Sequence, residues 1–393
     1  MKKLIICCIC ICLLAALLGG CSKSTSTTKT KIEEASLFPV KVDSKWGFID
    51  SKGNLVIKPQ YENNFPYFHE GLAAVKINGK WGFIDTKGKT IVEPQYDLPK
   101  ESYIMFSEGL SAVYVNGKWG YVNDKGKMAI DPQYDEVHSF SEGLAAIKIQ
   151  DKFGFIDTRG RTVVEPQYSN AFDFSEDFAV VENNNRWSYI NKNGKEVYHL
   201  DGHFQGIIPL QSFHEGFAAV WINDKWGFID KNCKLVIQPV YETFDAPAPR
   251  FSEGLAAVKV DQDKCGFIDT TGKIVIPAIY KSVKNFKEGL AAVEDVGKYS
   301  YIWGYVDKTG KVIIQPQYEF TSGFSFGLAS VTINSKEGII NKTGQMIIQP
   351  QYEVAIPARS DLVQVFSERG NESDNFGYVD LNGKMLWPQQ EKK

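Results

Sequence analysis

Apolar and polar positions along this chain follow one pattern many times over, and residues 68–96, "FHEGLAAVKINGKWGFIDTKGKTIVEPQY", show it in full. "LAAVKI" at 72–77 is apolar and carries the β-branched residues Val75 and Ile77, which predicts a strand. Asn78-Gly79 follows, a dipeptide suited to a tight hairpin because both turn positions need positive φ. "KWGFID" at 80–85 is a second strand, with Trp81 and Phe83 on one face and Gly82 on the other. "TKG" turns the chain again at Gly88, and "KTIVEPQY" at 89–96 is a third strand. Its ladder is expected to stop at Pro94, since proline has no N–H to donate. A loop of about ten residues leads to the next "FSEG". Each unit is therefore expected to be a three-stranded antiparallel meander plus a loop.

The aromatic–glycine step recurs at Trp46, Trp81, Trp119, Phe153, Trp187, Trp226, Cys265, Trp303, Glu337 and Phe376, at intervals of 34 to 39 residues, with Ser188 replacing the glycine once. A fixed period of this size marks a repeat array, in which one unit cannot bury its aromatic face alone and must stack on its neighbours. On the "KWGFID" and "PQY" motifs the chain resembles the WG-repeat (KWG-repeat) proteins of bacteria, over residues 37 to about 387. The resemblance implies a repeat build and little about activity. The fold class expected is all-β, with tandem antiparallel three-stranded meanders forming an open or coiled β-solenoid-like array. The alternative is β-propeller-like closed rings, which usually take 4–8 four-stranded blades.

Within the unit, the Trp/Phe pair and the tyrosines Tyr61, Tyr96, Tyr134, Tyr168, Tyr241, Tyr280, Tyr318 and Tyr352 are expected to fill the seams between units. The competing reading has them exposed for stacking on sugars. Gly82 and its equivalents are expected to leave room for an approaching backbone or ring. Asp50, Asp85, Asp157, Asp230, Asp269, Asp307 and Asp380, with Asn123, Asn191 and Asn341 at the same position, fit an Asx turn better than a calcium loop, which needs several alternating oxygen ligands. The glutamate of "EGL" (Glu70, Glu108, Glu142, Glu176, Glu215, Glu253, Glu288) recurs too often for a catalytic acid and is expected to cap a loop.

The N-terminus reads as an address. Lys2 and Lys3 precede an apolar run from Leu4 to Leu18, too short for a membrane span and right for a signal-peptide core. Leu18-Gly19-Gly20-Cys21 resembles the bacterial lipobox. That resemblance implies cleavage after Gly20, a lipid (palmitate-bearing) anchor on Cys21, and residence on the extracytoplasmic face of the cell membrane, or on the outer membrane if the host has one. The organisation expected is a signal peptide at 1–20, a flexible Ser/Thr/Lys-rich tether at 21–36, an array of about ten repeats at 37–387 and a tail at 388–393. Only Cys233 and Cys265 lie in the array, at different places in adjacent units, which argues against a bridge.

Composition narrows the function. With 44 basic and 47 acidic residues and no basic cluster, the chain lacks the concentrated positive surface of a nucleic-acid binder. No nucleophile elbow, phosphate loop or zinc motif is present, and no cofactor is implied. The fifth unit is the poorest copy: it has Trp187-Ser188, lacks "PQY" and carries His199, His203 and His214. Other breaks fall at 294–304 and 369–377. The reading favoured is a non-catalytic binding or scaffold module for protein or cell-envelope glycan partners. The alternative is a cell-envelope hydrolase acting through His199, Asp201, His203 and Glu215.

Overall fold

The structure is a computed structural model that describes residues 37–62, 67–99, 104–202, 208–243, 248–261, 264–296, 301–367 and 376–388. Cys21, Gly20, the leader, the tether and His203 lie outside the described residues, as does most of the 369–377 break. Among the described residues there is no helix. Ten separate antiparallel sheets follow one another, here called blades 1 to 10: residues 38–61, 68–96, 110–134, 136–168, 170–201, 217–241, 251–280, 282–318, 320–352 and 354–387. Within each blade the strands lie in chain order. Blades 1, 3 and 6 have the three strands read from sequence, and the other seven add a fourth. In blade 4 that strand is only Glu136–Val137, paired with Lys148 and Ile147.

The hairpins form where the pattern places them. Asn78 and Gly79 both have positive φ (50° and 76°), the requirement of a two-residue primed turn. The third strand differs from expectation at its proline. Thr90–Tyr96 runs through Pro94, and Trp81 pairs with Tyr96 after a register shift. The missing N–H is therefore accommodated by a bulge, not by ending the strand. That bulge explains the glycine of the "WG" step. A Cβ added to Gly227 would lie 2.6 Å from the Ile237 carbonyl oxygen and 2.8 Å from the nitrogen of Pro239, so any side chain collides with the bulged backbone.

The core sits in the seams between blades. Leu72, Phe83, Val92 and Tyr96 of blade 2 pack with Phe106, just ahead of blade 3, and with Val113 and Val122 of blade 3, and the same arrangement recurs down the chain. Phe48, Phe83, Phe155, Phe228 and Phe267 are fully buried, each worth about 1.5–3 kcal/mol of transfer free energy. Each meets the phenylalanine of the next blade's "FSEG", as in Phe83–Phe106 and Phe267–Phe286, with ring centroids 4.9 and 4.8 Å apart. Most of the seam tyrosines are buried and Tyr168 and Tyr352 are partly so; Trp46, Trp226 and Trp303 are buried, while Trp81, Trp119 and Trp187 keep an exposed edge. The aromatics are thus seam filling, not an open sugar-stacking row.

The array closes, so the ring-like alternative replaces the open solenoid. One cluster joins Phe38, Trp46 and Phe48 of blade 1 to Leu362, Phe366, Phe376 and Tyr378 of blade 10. Trp46 stacks on Phe376 at 5.4 Å, and the backbone at Gly53 abuts Leu386. The contact that Gly88 makes with Ile57 of blade 1 is made by Gly53 with blade 10, so first and last blades meet as any two neighbours do. An open array would leave two apolar faces in water; closure removes both.

Candidate functional site

Two polar devices fasten the seams. The "EG" turn has positive φ at both residues (51° at Glu70 and 79° at Gly71), which aims the glutamate side chain along the ring and leaves its own backbone N–H groups open to the blade before. Glu70 accepts hydrogen bonds from the N–H groups of Glu108 and Gly109 (2.9 and 2.8 Å). Glu108 accepts from Gly143, Glu142 from Glu176 and Asp177, Glu176 from Gly216, Glu215 from Glu253 and Gly254, Glu253 from Gly289, and Glu288 from Gly327. A second chain runs beside it: Ser107, Ser141, Ser175 and Ser252 each donate Oγ–H to the carbonyl of the next blade's phenylalanine. The capping role expected for these glutamates is therefore fulfilled between blades. The repeated Asp/Asn position is an Asx turn in all ten blades. Asp50 Oδ1, for example, accepts from the N–H of Lys52 and of Asn54, both at 2.9 Å, and Asn191 makes the same pair. The backbone N–H of Lys234 leads in holding the Asp230 carboxyl below the usual range, and the hydroxyls of Thr271 and Thr309, with the turn N–H groups behind them, do so for Asp269 and Asp307.

Against this regularity, the seam between blades 5 and 6 departs at several positions. Blade 5 has Glu196–Asp201 as its third strand, with no proline. It stays in register with Arg186–Tyr189, so that Ser188 faces His199. With no bulge folded over it, position 188 accepts a side chain, and Ser188 Oγ donates to Glu196 at 2.7 Å. The same strand lacks the bulged Ile or Val on which other turn glycines rest, such as Ile276 beneath Gly310. At the facing turn of blade 6 the glycine is Cys233, still at φ 60°. The "EG" glycine of blade 5 is Asp177, at φ 78°.

These departures leave a cleft of about 480 Å³, lined by Asp177, Phe178, Asn191, Lys192, Asn193, Val197, Lys231, Asn232 and Cys233. Lys192 and Lys231 grip opposite oxygens of Asp177 at 3.1 and 2.9 Å, and Lys192 also reaches Glu142 at 3.2 Å. The two ammonium groups hold the Asp177 carboxyl below its ordinary value. Burial pushes the Cys233 thiol up, so it stays protonated at neutral pH. Cys233 and Cys265 are both free thiols.

The residues singled out for catalysis are only partly brought together. His199 Nδ1 lies 3.2 Å from Glu196 and Nε2 lies 3.8 Å from Asp201. Arg186 spans Glu196 and Asp201, and it lowers the Glu196 carboxyl to about 2. Glu215 is committed to the blade 7 turn, and His214 belongs to the hairpin that opens blade 6. Among the described residues no three His, Cys, Asp or Glu side chains are grouped to hold a metal. Of the cleft residues the sequence reading named only Asn191, for its Asx turn, and Cys233, as one of two array cysteines, and neither as part of a site. The signal lay in comparing turn positions across copies: Asp177 and Cys233 each stand where the other copies have a turn glycine.

Nine tandem segments of the chain match the "WG containing repeat" family: residues 46–81, 81–119, 119–153, 153–187, 187–226, 226–264, 266–299, 303–336 and 338–367. No curated protein matches the chain in sequence. Among solved structures, one described as the eukaryotic initiation factor is similar with a TM-score of 0.55 at 12% identity, covering 89% of this chain and 94% of that one. BamB from Moraxella catarrhalis aligns with a TM-score of 0.39 at 14% identity, over 69% of this chain and 94% of its own.

Proposed function

The chain belongs to the WG-containing repeat family, and from that premise we propose that it is a non-catalytic binding or scaffold module, tethered to the outer side of a membrane by a lipid on Cys21, that engages a protein or cell-envelope glycan partner at the cleft between blades 5 and 6. One observation carries the reading. The repeated carboxylates and aromatics are occupied in joining blades, whereas at this seam the joining devices and the inner apolar packing are kept and the outer turn contact is withdrawn, so that a lined recess opens there. Such recesses, concave and part apolar with a few polar groups, are the usual form of a ligand site. A hydrolase working through His199, Asp201, His203 and Glu215 has less support, because the Glu215 carboxylate is already bonded to Glu253 and Gly254.

The test has two arms. Cys21→Ser is expected to move the protein from the membrane fraction to the soluble or secreted one and to abolish labelling by a palmitate analogue. A variant that stays on membranes and still labels would sink the anchor. In the second arm, binding of purified envelope proteins and of peptidoglycan is compared between the native chain and a cleft-filling Asn232→Trp variant. Equal binding by both would remove the cleft from the reading, and hydrolysis of the polymer by the native chain would favour the enzyme.

A further inference from the structure

We infer that the cleft between blades 5 and 6 takes an uncharged sugar unit of an oligosaccharide; this rests on the binding reading above and names the ligand class of the same site. The argument proceeds by what the lining offers. Its two cations are already matched: Lys192 and Lys231 hold the two oxygens of Asp177, and Lys192 also meets Glu142. An acidic ligand would have to displace Asp177, and a cationic one would meet two ammonium groups. The residues at the turn tips point the same way. The position that is Lys or Arg in blades 1 to 4, Thr in blades 7 to 9 and Asn in blade 10 is Asn193 and Asn232 here, and what sets these two apart is that both are exposed at the cleft. A carboxamide offers two donors and an acceptor at no net charge, the complement of vicinal hydroxyls.

The rest of the lining is apolar apart from Asn191, whose side-chain oxygen is engaged in its own Asx turn. Phe178, Val197 and the protonated Cys233 supply apolar surface beside the polar turn tips. Phe178 is backed by Phe213, ring centroids 4.9 Å apart, which holds its ring in place. A pyranose has this two-sided character, with C–H groups on its face and hydroxyls around its rim. An extended peptide, the other uncharged hydrogen-bonding ligand, is usually taken up along an open strand edge. Here the polar groups come from turn tips. The cleft, about 480 Å³ and open to solvent, has room for one sugar unit whose neighbours in the chain stay outside.

The experiment uses the chain from residue 21 onward. Titration calorimetry and ligand-observed NMR are run with cellotetraose and tetra-N-acetylchitotetraose as neutral probes, and with trigalacturonate and the chitosan tetramer as acidic and basic ones. At least one neutral probe is expected to bind, with both charged probes at least tenfold weaker. Asn193→Ala and Asn232→Ala are each expected to weaken the neutral probe about tenfold, while Thr343→Ala, at the same turn position in blade 9, leaves it unchanged. Asp177→Gly restores the residue found elsewhere in the repeat and uncovers Lys231. It is expected to shift preference toward trigalacturonate without loss of fold, which a thermal melt checks. Preference of the native chain for a charged probe overturns the inference, as does neutral-sugar binding indifferent to both asparagines. Failure of all four sugars with retained, cleft-dependent binding of an envelope protein overturns the sugar and spares the binding module. Failure of both overturns the module as well.

Discussion

The seams between blades 7 and 8 and between blades 5 and 6 are built from the same repeat and do different things. At the first, Phe267 meets Phe286, Glu253 accepts from the Gly289 N–H, Lys308 sits on Glu253, and Gly310 lies flat on Ile276. At the second, Tyr189 meets Phe213 at 5.1 Å, Glu176 accepts from Gly216 and Ser175 donates to Phe213, so the fastening is intact. The difference lies in the third strand. Without its proline bulge, blade 5 neither requires a glycine at position 188 nor presents the aliphatic step on which a turn glycine rests. One backbone irregularity thus separates a filled seam from a recessed one, and the ring is not broken by it.

Removing a ring from each seam should give the largest contrast. Phe267→Ala, in the filled seam, is expected to cost about 3–5 kcal/mol in denaturant unfolding, and Phe178→Ala, half-buried at the recess, less than half of that. Equal losses would mean that the recess is packed as tightly as the rest. The bulge is tested next. Gly304→Ala drives a Cβ into the Ile314–Pro316 backbone and is expected to cost about 2–3 kcal/mol. Ser188→Ala loses one hydrogen bond, about 1 kcal/mol. A Gly304→Ala protein as stable as the parent would refute the steric account of the "WG" glycine. Cutting a fastener falls between those two: Glu253→Ala should lower stability by about 1.5 kcal/mol through the lost charge-assisted bond to Gly289.

The smallest effect expected is a pH dependence at the neighbouring blade 4–5 seam. His138 Nδ1 lies 2.7 Å from Asp173, and that bond, opposed by burial, raises the histidine above its ordinary value. A raised folded value means the stabilisation is complete below about pH 6.5, the value for an unfolded histidine, and fades as pH rises through the folded one. Thermal melts should therefore show a modest fall in Tm between pH 6 and 8 that Asp173→Asn flattens. A fall unchanged in that variant would assign it to another group.

Much of this was legible in the residues. The hairpins followed from Asn78-Gly79 and its equivalents, the Asx turns from the exchange of Asp with Asn, and the seam aromatics from alternation within "KWGFID". Closure was not legible, because it depends on the twist between successive blades, and no residue pair in the repeat records that angle; Trp46 and Phe376 look like any other members of the motif. The proline was misread because its effect depends on the partner strand. Pro94 as a stop and Pro94 as a bulge are the same letters, and the clash at Gly82 that tells them apart is a contact across the sheet. The cleft was hidden for a related reason. The fifth unit stands out by what it lacks and by its histidines, whereas Asp177 and Cys233 are unremarkable until set beside the turn glycines of the other blades.

The contact of Gly53 with Leu386 has a bearing on inheritance. An open solenoid can lengthen by one repeat at each duplication, since a new unit needs only one neighbour. Once blade 1 rests on blade 10, every seam shares a single closure condition. An eleventh copy would open a wedge somewhere, and a ninth-copy ring would strain all its joints at once. Copy number therefore becomes a property of the whole chain, and variation is channelled into substitutions within a blade, as blade 5 displays, in preference to additions between blades.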